Sequence, residues 1–517
     1  MTQGILPFKY EIENKPSGMT SLAGLPLYYE LATVTGISQS VTHHLPDPQG
    51  SQGWTNNQCI SALVMLNLAG GSTVDDLRIM ESDYGLIRFL QKIETHGLNR
   101  DQRRALELRW RKENNHAVPS PSAMFRFLNQ FHFAQEEEKR VAGKAFIPAP
   151  NKYLQGLVNI NKDIVAFKQA HSPFQIATLD MDATLIETSK NEALYCYKGF
   201  EAYQPLNTYW FEQDLVLHSE FRDGNVPAGY DQLRVFKEAL NQLPVGVEQT
   251  YLRSDTAGYQ IDLIKYCAKG MHERFGVIKF GICVDVTESF KNAVRDVPES
   301  EWYPIYTQVN GKSVPTGQQW AEVCYVPNWA GYSKKDPEYR FIAIRETIKQ
   351  LVLPEMEDQL TFPFPTMDFK SKGKYKLFGV VTNFSAQEKS GDQVIAWNRE
   401  RCGSSEKAHA IMKNDLAGGT MPSGKFGANA AWWQMMIFAY NLNSIMKRDV
   451  LSADNETWMV RCMKALRFYL INLPARVHKH AKQMVITLGH NHPMNETILR
   501  ARARMLALAH GPPCSVA

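Results

Sequence analysis

The chain has 517 residues, enough for two to four domains or one core with large insertions. Its 44% hydrophobic and 21% charged content is that of a globular protein and excludes wholesale disorder. The net charge of +4 is mild. There is neither an apolar run long enough to span a bilayer nor a basic segment leading into an apolar one, so a soluble, non-secreted, cytoplasmic protein without a membrane partner is expected. Eight scattered cysteines with no C-x-x-C pair fit reduced thiols and argue against a zinc site or a disulfide framework.

Residues 1–150 read as mainly helical after a Gly/Pro/Ser-rich start. Apolar residues fall at helical spacing over Ile60–Leu68, Val74–Ile93, Arg100–Lys112 and Ser122–Phe131. Arg100, Arg103, Arg104, Arg109, Arg111 and Lys112 crowd the third of these, as a solvated face or as a DNA-contacting one. The Pro-containing stretch Phe146–Asn151 marks a boundary, and a linking helix is predicted over Tyr153–Ala170.

From about residue 172 strand and helix alternate. Gln175–Thr188 reads as a strand in which Ile176, Thr178, Asp180, Asp182 and Thr184 share one face, and Ala177, Leu179, Met181, Ala183 and Leu185 the other. Two acids on so apolar a strand are costly to bury unless a cation or a substrate phosphate justifies them. Strands over Tyr203–Phe211 and Asp214–Arg222 follow, then a turn at Asp223-Gly-Asn. A helix over Tyr230–Gln242, a strand over Glu248–Ser254 ending in Asp255, a helix over Gln260–Ala268 and a strand over Val277–Val284 complete the run. A three-strand meander followed by helix, strand, helix, strand is the order of a ribonuclease H-like mixed sheet, which sets the ends of its first and fourth strands side by side. The expected fold class is therefore α/β, with that core at residues 151–297 and 391–446.

Residues 298–390 interrupt the core with β-type runs at Ala321–Val326, Tyr339–Ile348 and Tyr375–Phe384, read as an inserted β subdomain. Helices are predicted at Ser404–Leu416 and Gly427–Ile445. The tail, 447–517, reads as a β-like segment (Lys464–Leu473), a basic stretch (Arg476–Lys482) and a helix (Glu496–Ala509). From Asn441 onward eleven Lys/Arg face four Asp/Glu, with five His besides. Such a local basic surface suits nucleic-acid contact, and Arg500, Arg502 and Arg504 are its candidate residues; a solvated charged face is the plainer alternative.

Three acids line up by position: Asp182 on the first core strand, Asp255 at the end of the fourth, and Glu406 at the start of the Ser404 helix. Carboxylates gathered in this way hold Mg²⁺ for phosphoryl chemistry. On a regular helix Glu406, His409 and Lys413 stand at i, i+3 and i+7 and share a face. Glu406 also suits a helix N-terminus, with Ser404 or Ser405 as cap.

The motifs Leu179-Asp-Met-Asp-Ala-Thr184, Arg253-Ser-Asp-Thr-Ala-Gly258 and Arg401-Cys-Gly-Ser-Ser-Glu406 followed at six residues' spacing by Lys413 resemble those of DDE transposases of bacterial insertion sequences, in the branch with a β insertion before the catalytic Glu. The resemblance runs from about residue 172 to the C-terminus and takes in Tyr197-Lys-Gly-Phe200, Gly419–Phe426, Asn429-Ala-Ala-Trp-Trp433 and Arg467–Arg476. It implies a catalytic and metal-binding triad of Asp182, Asp255 and Glu406 with two Mg²⁺ ions, for which Mn²⁺ can substitute. It implies as partners the terminal inverted repeats and target DNA, and a homodimer on DNA. Many relatives carry Tyr-x2-Arg-x3-Glu-x6-Lys on the last helix; here Arg401 stands one place early and Trp397 two. Asp180, Arg401, His409 and Lys413 are the supporting candidates, Lys413 for a DNA phosphate. The first motif also looks like the Asp-x-Asp-x-Thr of haloacid-dehalogenase-type phosphatases, in which Asp180 would be nucleophile and Asp182 acid/base. That reading gives Glu406 no role. A catalytically inactive DNA-binding derivative is the remaining alternative.

Overall fold

The computed structural model describes residues 12–46, 53–104, 116–309, 311–330, 337–348, 364–369, 373–481 and 483–509. The N-terminal region is helical. Its central helix α1 (Asn56–Ala69) starts on a capping box between Thr55 and Gln58 and is buried along nearly its whole length. The expected Val74–Ile93 helix is broken at Asp83, whose carboxylate caps the following Tyr84–Glu94 helix by accepting from Leu86 N. Arg100, Arg103 and Arg104 are exposed, while Arg109, Arg111 and Lys112 lie outside the described residues. The linking helix α2 (Lys152–His171) is capped by Asn151, which accepts from Tyr153 N and Leu154 N.

The core sheet begins with β1 (Ile176–Ala183), β2 (Leu206–Trp210) and β3 (Leu215–Glu220). Helix α3 (Gln232–Gln242) leads to β4 (Gln249–Ser254), and α4 (Ile261–Ala268) to β5 (Lys279–Cys283). Their spatial order is β5-β4-β1-β2-β3. β1 runs parallel to β4, β4 parallel to β5, and β1, β2 and β3 form an antiparallel meander. This is the ribonuclease H-like arrangement, two helix-linked connections to parallel strands added to an antiparallel meander. Ala177, Leu179 and Met181 of β1 pack into the hydrophobic core with Phe236, Leu240 and Leu263 of α3 and α4. The opposite face carries Asp180 and Asp182, as the alternation predicts.

The inserted segment supplies β6 (Tyr303–Val309), β7 (Lys312–Val323), β8 (Arg340–Thr347), β9 (Thr366–Phe369) and β10 (Gly373–Thr382). These strands extend the core sheet itself: β10 pairs antiparallel with β5, and the path continues β8, β7, β6, with β9 on β10. Helix α5 (Gly391–Ala410) then crosses the sheet. It begins at Ser390, which forms a capping box with Gln393, well before the predicted Ser404 start. Glu406 is consequently a mid-helix residue, and the reading of it as an N-terminal acid falls away. The helix runs through Ser404 and Ser405 because both hydroxyls bond back within it, to the Glu400 and Arg401 carbonyls, at 2.9 and 3.1 Å. It ends in a π-helical turn, Ile411–Asp415.

Helix α6 (Phe426–Ile445) is buried on every side. It packs against α1, α2 and β3 and so joins the N-terminal helices to the sheet. Two of its asparagines are bonded: Asn441 donates to Asn161 Oδ1 (2.8 Å) and accepts from Val216 N (2.9 Å), and Asn443 accepts from Tyr28 (2.9 Å).

The tail differs from expectation in one place. Lys464–Leu473, read as β-like, is helical from Met463 to Ile471. Leu466 and Leu470 bury together with the N-terminal core, and Arg467 donates to the Leu68 and Asn67 carbonyls at the end of α1 (2.8 and 2.7 Å). The basic stretch is a strand, Ala475–His480, held between Met19–Thr20 and Gln483–Leu488, so the two ends of the chain share one small sheet. Helix α7 (Asn495–Ala509) closes the described chain.

Candidate active site

The parallel register of β1 and β4 sets Asp180 beside Arg253 and Met181 beside Ser254, which places Asp255 next to the end of β1 that carries Asp182. Asp255 leaves β4 and caps a short 3-10 turn, accepting from Ala257 N at 3.0 Å. Helix α5 lies across these strand ends with Val394, Asn398, Arg401, Ser405 and Ala408 on its buried stripe. It can approach so closely because β5 carries Gly281, where a Cβ would stand 3.0 Å from the Trp397 ring; Asn398 donates to the Gly281 carbonyl at 2.7 Å. The insertion braces the other half of α5, since Gly391 fits against the Trp320 ring of β7 and Arg399 donates to Gln318 at 2.7 Å.

The two strand acids meet different partners. Asp180 is fully buried and held by Arg253, with Nε to Oδ1 at 2.6 Å and Nη2 to Oδ2 at 2.9 Å. Arg253 also donates to the Trp397 carbonyl (2.7 Å) and Glu400 (3.0 Å) and lies over the Phe211 and Trp397 rings. A carboxylate so enclosed has no path to a phosphate ester, which removes the phosphatase reading of Asp180 as nucleophile.

Asp182 is partly open. Arg401 Nη1 lies 3.1 Å from its Oδ2, and His409 Nδ1 lies 3.7 Å from the same oxygen. Burial pushes the Asp182 carboxyl up from 3.8 to about 7; Arg401 opposes the shift, and the negative charges of Asp255 and Glu406 add to it. Asp255 and Glu406 therefore each lie within electrostatic reach of Asp182. Glu406, exposed and one place round from the buried stripe, also accepts a hydrogen bond from Cys402. Burial, with Lys413 and Arg401 nearby, lowers His409 to about 4, so the imidazole beside Asp182 is neutral and the contact is a dipole rather than an ion pair. Arg401, one place early in sequence, reaches Asp182 nonetheless because it falls on the buried stripe.

The remaining candidates are placed as follows. Lys413, in the π-helical turn, donates to the Leu185 carbonyl at 3.1 Å and is depressed by burial and by Lys198. Lys413 remains close enough to His409 for its charge to be felt there. Trp397 packs on Tyr251 and Phe384 and is half-buried. Arg500 pairs with Glu496 and Asp454, Arg502 with Glu30, and Arg504 with Asp454. Those arginines tie α7 to the body, so their charge is already partly matched. Sequence reasoning missed Arg253, Asn207, Ser219 and Trp433. The first could have been found from strand register; the others come together only in three dimensions.

Among the described residues, no group of three or more His, Cys, Asp or Glu side chains is drawn together closely enough to hold a metal ion. The donor chemistry nonetheless fits a hard divalent cation. Asp182 keeps a solvent-facing side, feels the charges of Asp255 and Glu406, and has one guanidinium, Arg401, against it, so hard oxygen donors are at hand. The seven cysteines among the described residues are free thiols, and none of the described helices is long and apolar enough to cross a membrane.

A ribonuclease H-like sheet with these acids at the ends of its first and fourth strands and on the helix beyond defines the class. The chain belongs to the family described as transposase DDE domain group 1, whose model matches residues 9–510 and so takes in the N-terminal helices as well as the core. A solved structure similar to it is the piggyBac transposase synaptic complex with hairpin DNA, at 13% identity and a TM-score of 0.41 over 86% of this chain and 76% of that one. No curated protein matches the chain.

Proposed function

We propose that this transposase cuts DNA at the terminal inverted repeats of a bacterial insertion sequence and transfers the freed 3′-hydroxyl ends into target DNA. The observation that carries the reading is the electrostatic nearness of Asp255 and Glu406 to the half-buried Asp182 in a chain of this family. The three carboxylates would hold two Mg²⁺ ions, or Mn²⁺ in their place, which when bound supply charge neutralisation at the attacked phosphate and an acidified water or hydroxyl.

The chain's own residues prepare the pocket. Arg401 gives Asp182 a counter-charge and fixes its Oδ2. The Asp180–Arg253 pair, closed to solvent, ties β1 to β4 and so keeps Asp182 and Asp255 adjacent. Lys413 and Lys198 lie near one another beside the β1 end, and neither forms an ion pair among the described residues. Two unmatched ammonium groups there suit the phosphates of a DNA strand passing the acids. Two DNA ends must be joined, so a homodimer on double-stranded DNA is the expected assembly, with the N-terminal helices and the basic C-terminal region holding the ends. The place of action is the bacterial cytoplasm, on the nucleoid.

The test starts from the DNA flanking the coding region. Inverted repeats bounded by a short direct duplication are expected there, and purified protein with Mg²⁺ should nick a duplex carrying them and join its 3′ end to a second DNA. Cleavage that ignores the repeats, or no cleavage with either Mg²⁺ or Mn²⁺, would overturn the reading.

A further inference from the structure

Asp182, Asn207 and Ser219 are register partners on three adjacent strands, β1, β2 and β3, and form a polar row across the sheet. Two helices close this row. Trp433 of α6 donates its indole N–H to Ser219 Oγ at 2.9 Å, and Ser219 Oγ donates to Asn207 Oδ1 at 2.6 Å. Asn207 Nδ2 meets His409 Nε2 of α5 at 3.1 Å, and His409 Nδ1 faces Asp182 Oδ2 at 3.7 Å. Asn207 and Trp433 are each 1% exposed and His409 7%, so water does not compete for the Asn207–His409 contact, while Ser219 is half-buried.

An indole nitrogen can only donate, so Ser219 Oγ accepts from it, and the Ser219 hydroxyl donates in turn to the Asn207 oxygen that faces it. The Asn207 oxygen is thereby committed to Ser219, and its amino group must point at His409. A donor facing Nε2 requires a lone pair there, so the neutral ring carries its proton on Nδ1, the nitrogen facing Asp182.

We propose that Trp433, Ser219 and Asn207 are positioning residues that fix the His409 tautomer, so that its Nδ1–H is aimed at Asp182 and orients that carboxylate for a divalent cation. The arrangement has two consequences. The N–H dipole joins Arg401 in restraining Asp182, and the occupied Nδ1 bars His409 from becoming a metal ligand itself. The purpose assigned to the relay rests on the proposed two-metal function; its existence does not.

The test uses full-length, metal-free protein with ¹⁵N-labelled histidine, the His409 signals being identified by their loss in His409→Gln. In the wild type the His409 spectrum should show a protonated Nδ1 and an unprotonated Nε2. Asn207→Asp places an acceptor opposite Nε2 and should move a proton there. Its Mn²⁺ affinity, followed by titration, should fall about 10–100-fold. Because a buried Asp can unfold the sheet, Ser219→Ala is the gentler probe: it frees the Asn207 amide and should weaken Mn²⁺ binding in the same direction, while Ser219→Thr, which keeps the hydroxyl, restores it. A protonated Nε2 in the wild type would overturn the relay, and so would Mn²⁺ affinity unchanged in a folded Ser219→Ala protein. A wild type with the expected ring that binds neither Mn²⁺ nor Mg²⁺ would leave the relay standing and overturn the functional reading instead.

Discussion

β1 carries two aspartates two residues apart, each facing an arginine, and the two pairs are built for opposite ends. Asp180 and Arg253 are both fully buried, and the guanidinium makes four hydrogen bonds. Asp182 keeps part of its surface in solvent, meets Arg401 at a single nitrogen, and has two further acids nearby. The closed pair stitches the parallel strands together. The open one is an under-matched acid with a solvent-facing side. Sequence spacing treats the two acids alike; only what encloses each of them separates structure from chemistry.

The contrast can be broken first at the closed pair. Arg253→Ala leaves a buried carboxylate without its partner and should cost about 3–5 kcal/mol of stability by urea unfolding. Replacing both partners, Asp180→Leu with Arg253→Met, should cost distinctly less than Arg253→Ala alone. Equal losses would mean that the pair contributes no more than its packing.

The open acid should behave in the opposite sense. Asp182 holds its proton to about pH 7 in the folded protein and to 3.8 when unconstrained. Folding therefore takes up a proton between those values, and this group's contribution falls as pH rises from 3.8 to about 7, then stays level. Asp182→Asn cannot ionise, so in the metal-free state it should be more stable than wild type at about pH 8, by roughly 2–4 kcal/mol. The advantage should fade as the solution is acidified towards the ordinary carboxylate range. A variant equally or less stable in the alkaline buffer would show that Arg401 already matches the charge.

A smaller effect is expected at the pocket's rim. Replacing Lys198 and Lys413 together by Ala should weaken binding to DNA ends and flatten its log–log salt dependence by about two units, one for each phosphate that is no longer neutralised. An unchanged slope in the folded double variant would remove both lysines from the DNA path. The same measurement on a charge-reversed Arg500/Arg502/Arg504 variant should change the slope less, because those side chains already face Glu496, Asp454 and Glu30.

Much of the fold was legible wherever a local pattern decides it. The period-two alternation in β1 separated Asp182 from Leu179 and Met181, and the order of elements from β1 to β5 predicted the sheet. What escaped was set by residues far apart in the chain. The start of α5 at Ser390 was hidden because Ser404 and Ser405 read as a helix cap, yet both serines bond back within the helix, and Gly391 packs on Trp320 at its true start. The helix over Met463–Ile471 was mistaken for a strand because its apolar residues are dense; Arg467, reaching the end of α1, fixes it in place. Asp182, Asp255 and Glu406 were named from motif and order, whereas the row Asp182, Asn207, Ser219 depends on the register of three strands, which spacing alone does not give.

The central claim is that Asp182, Asp255 and Glu406 act as one unit in cleavage and not in holding DNA. Each should be replaced by Ala in purified protein, and Mg²⁺-dependent nicking of a terminal-repeat duplex measured beside binding of that duplex in the same buffer. Each variant is expected to lose cleavage by orders of magnitude while keeping wild-type affinity for the duplex. A Glu406→Ala protein that still nicks its terminal repeats at the wild-type rate would contradict the account.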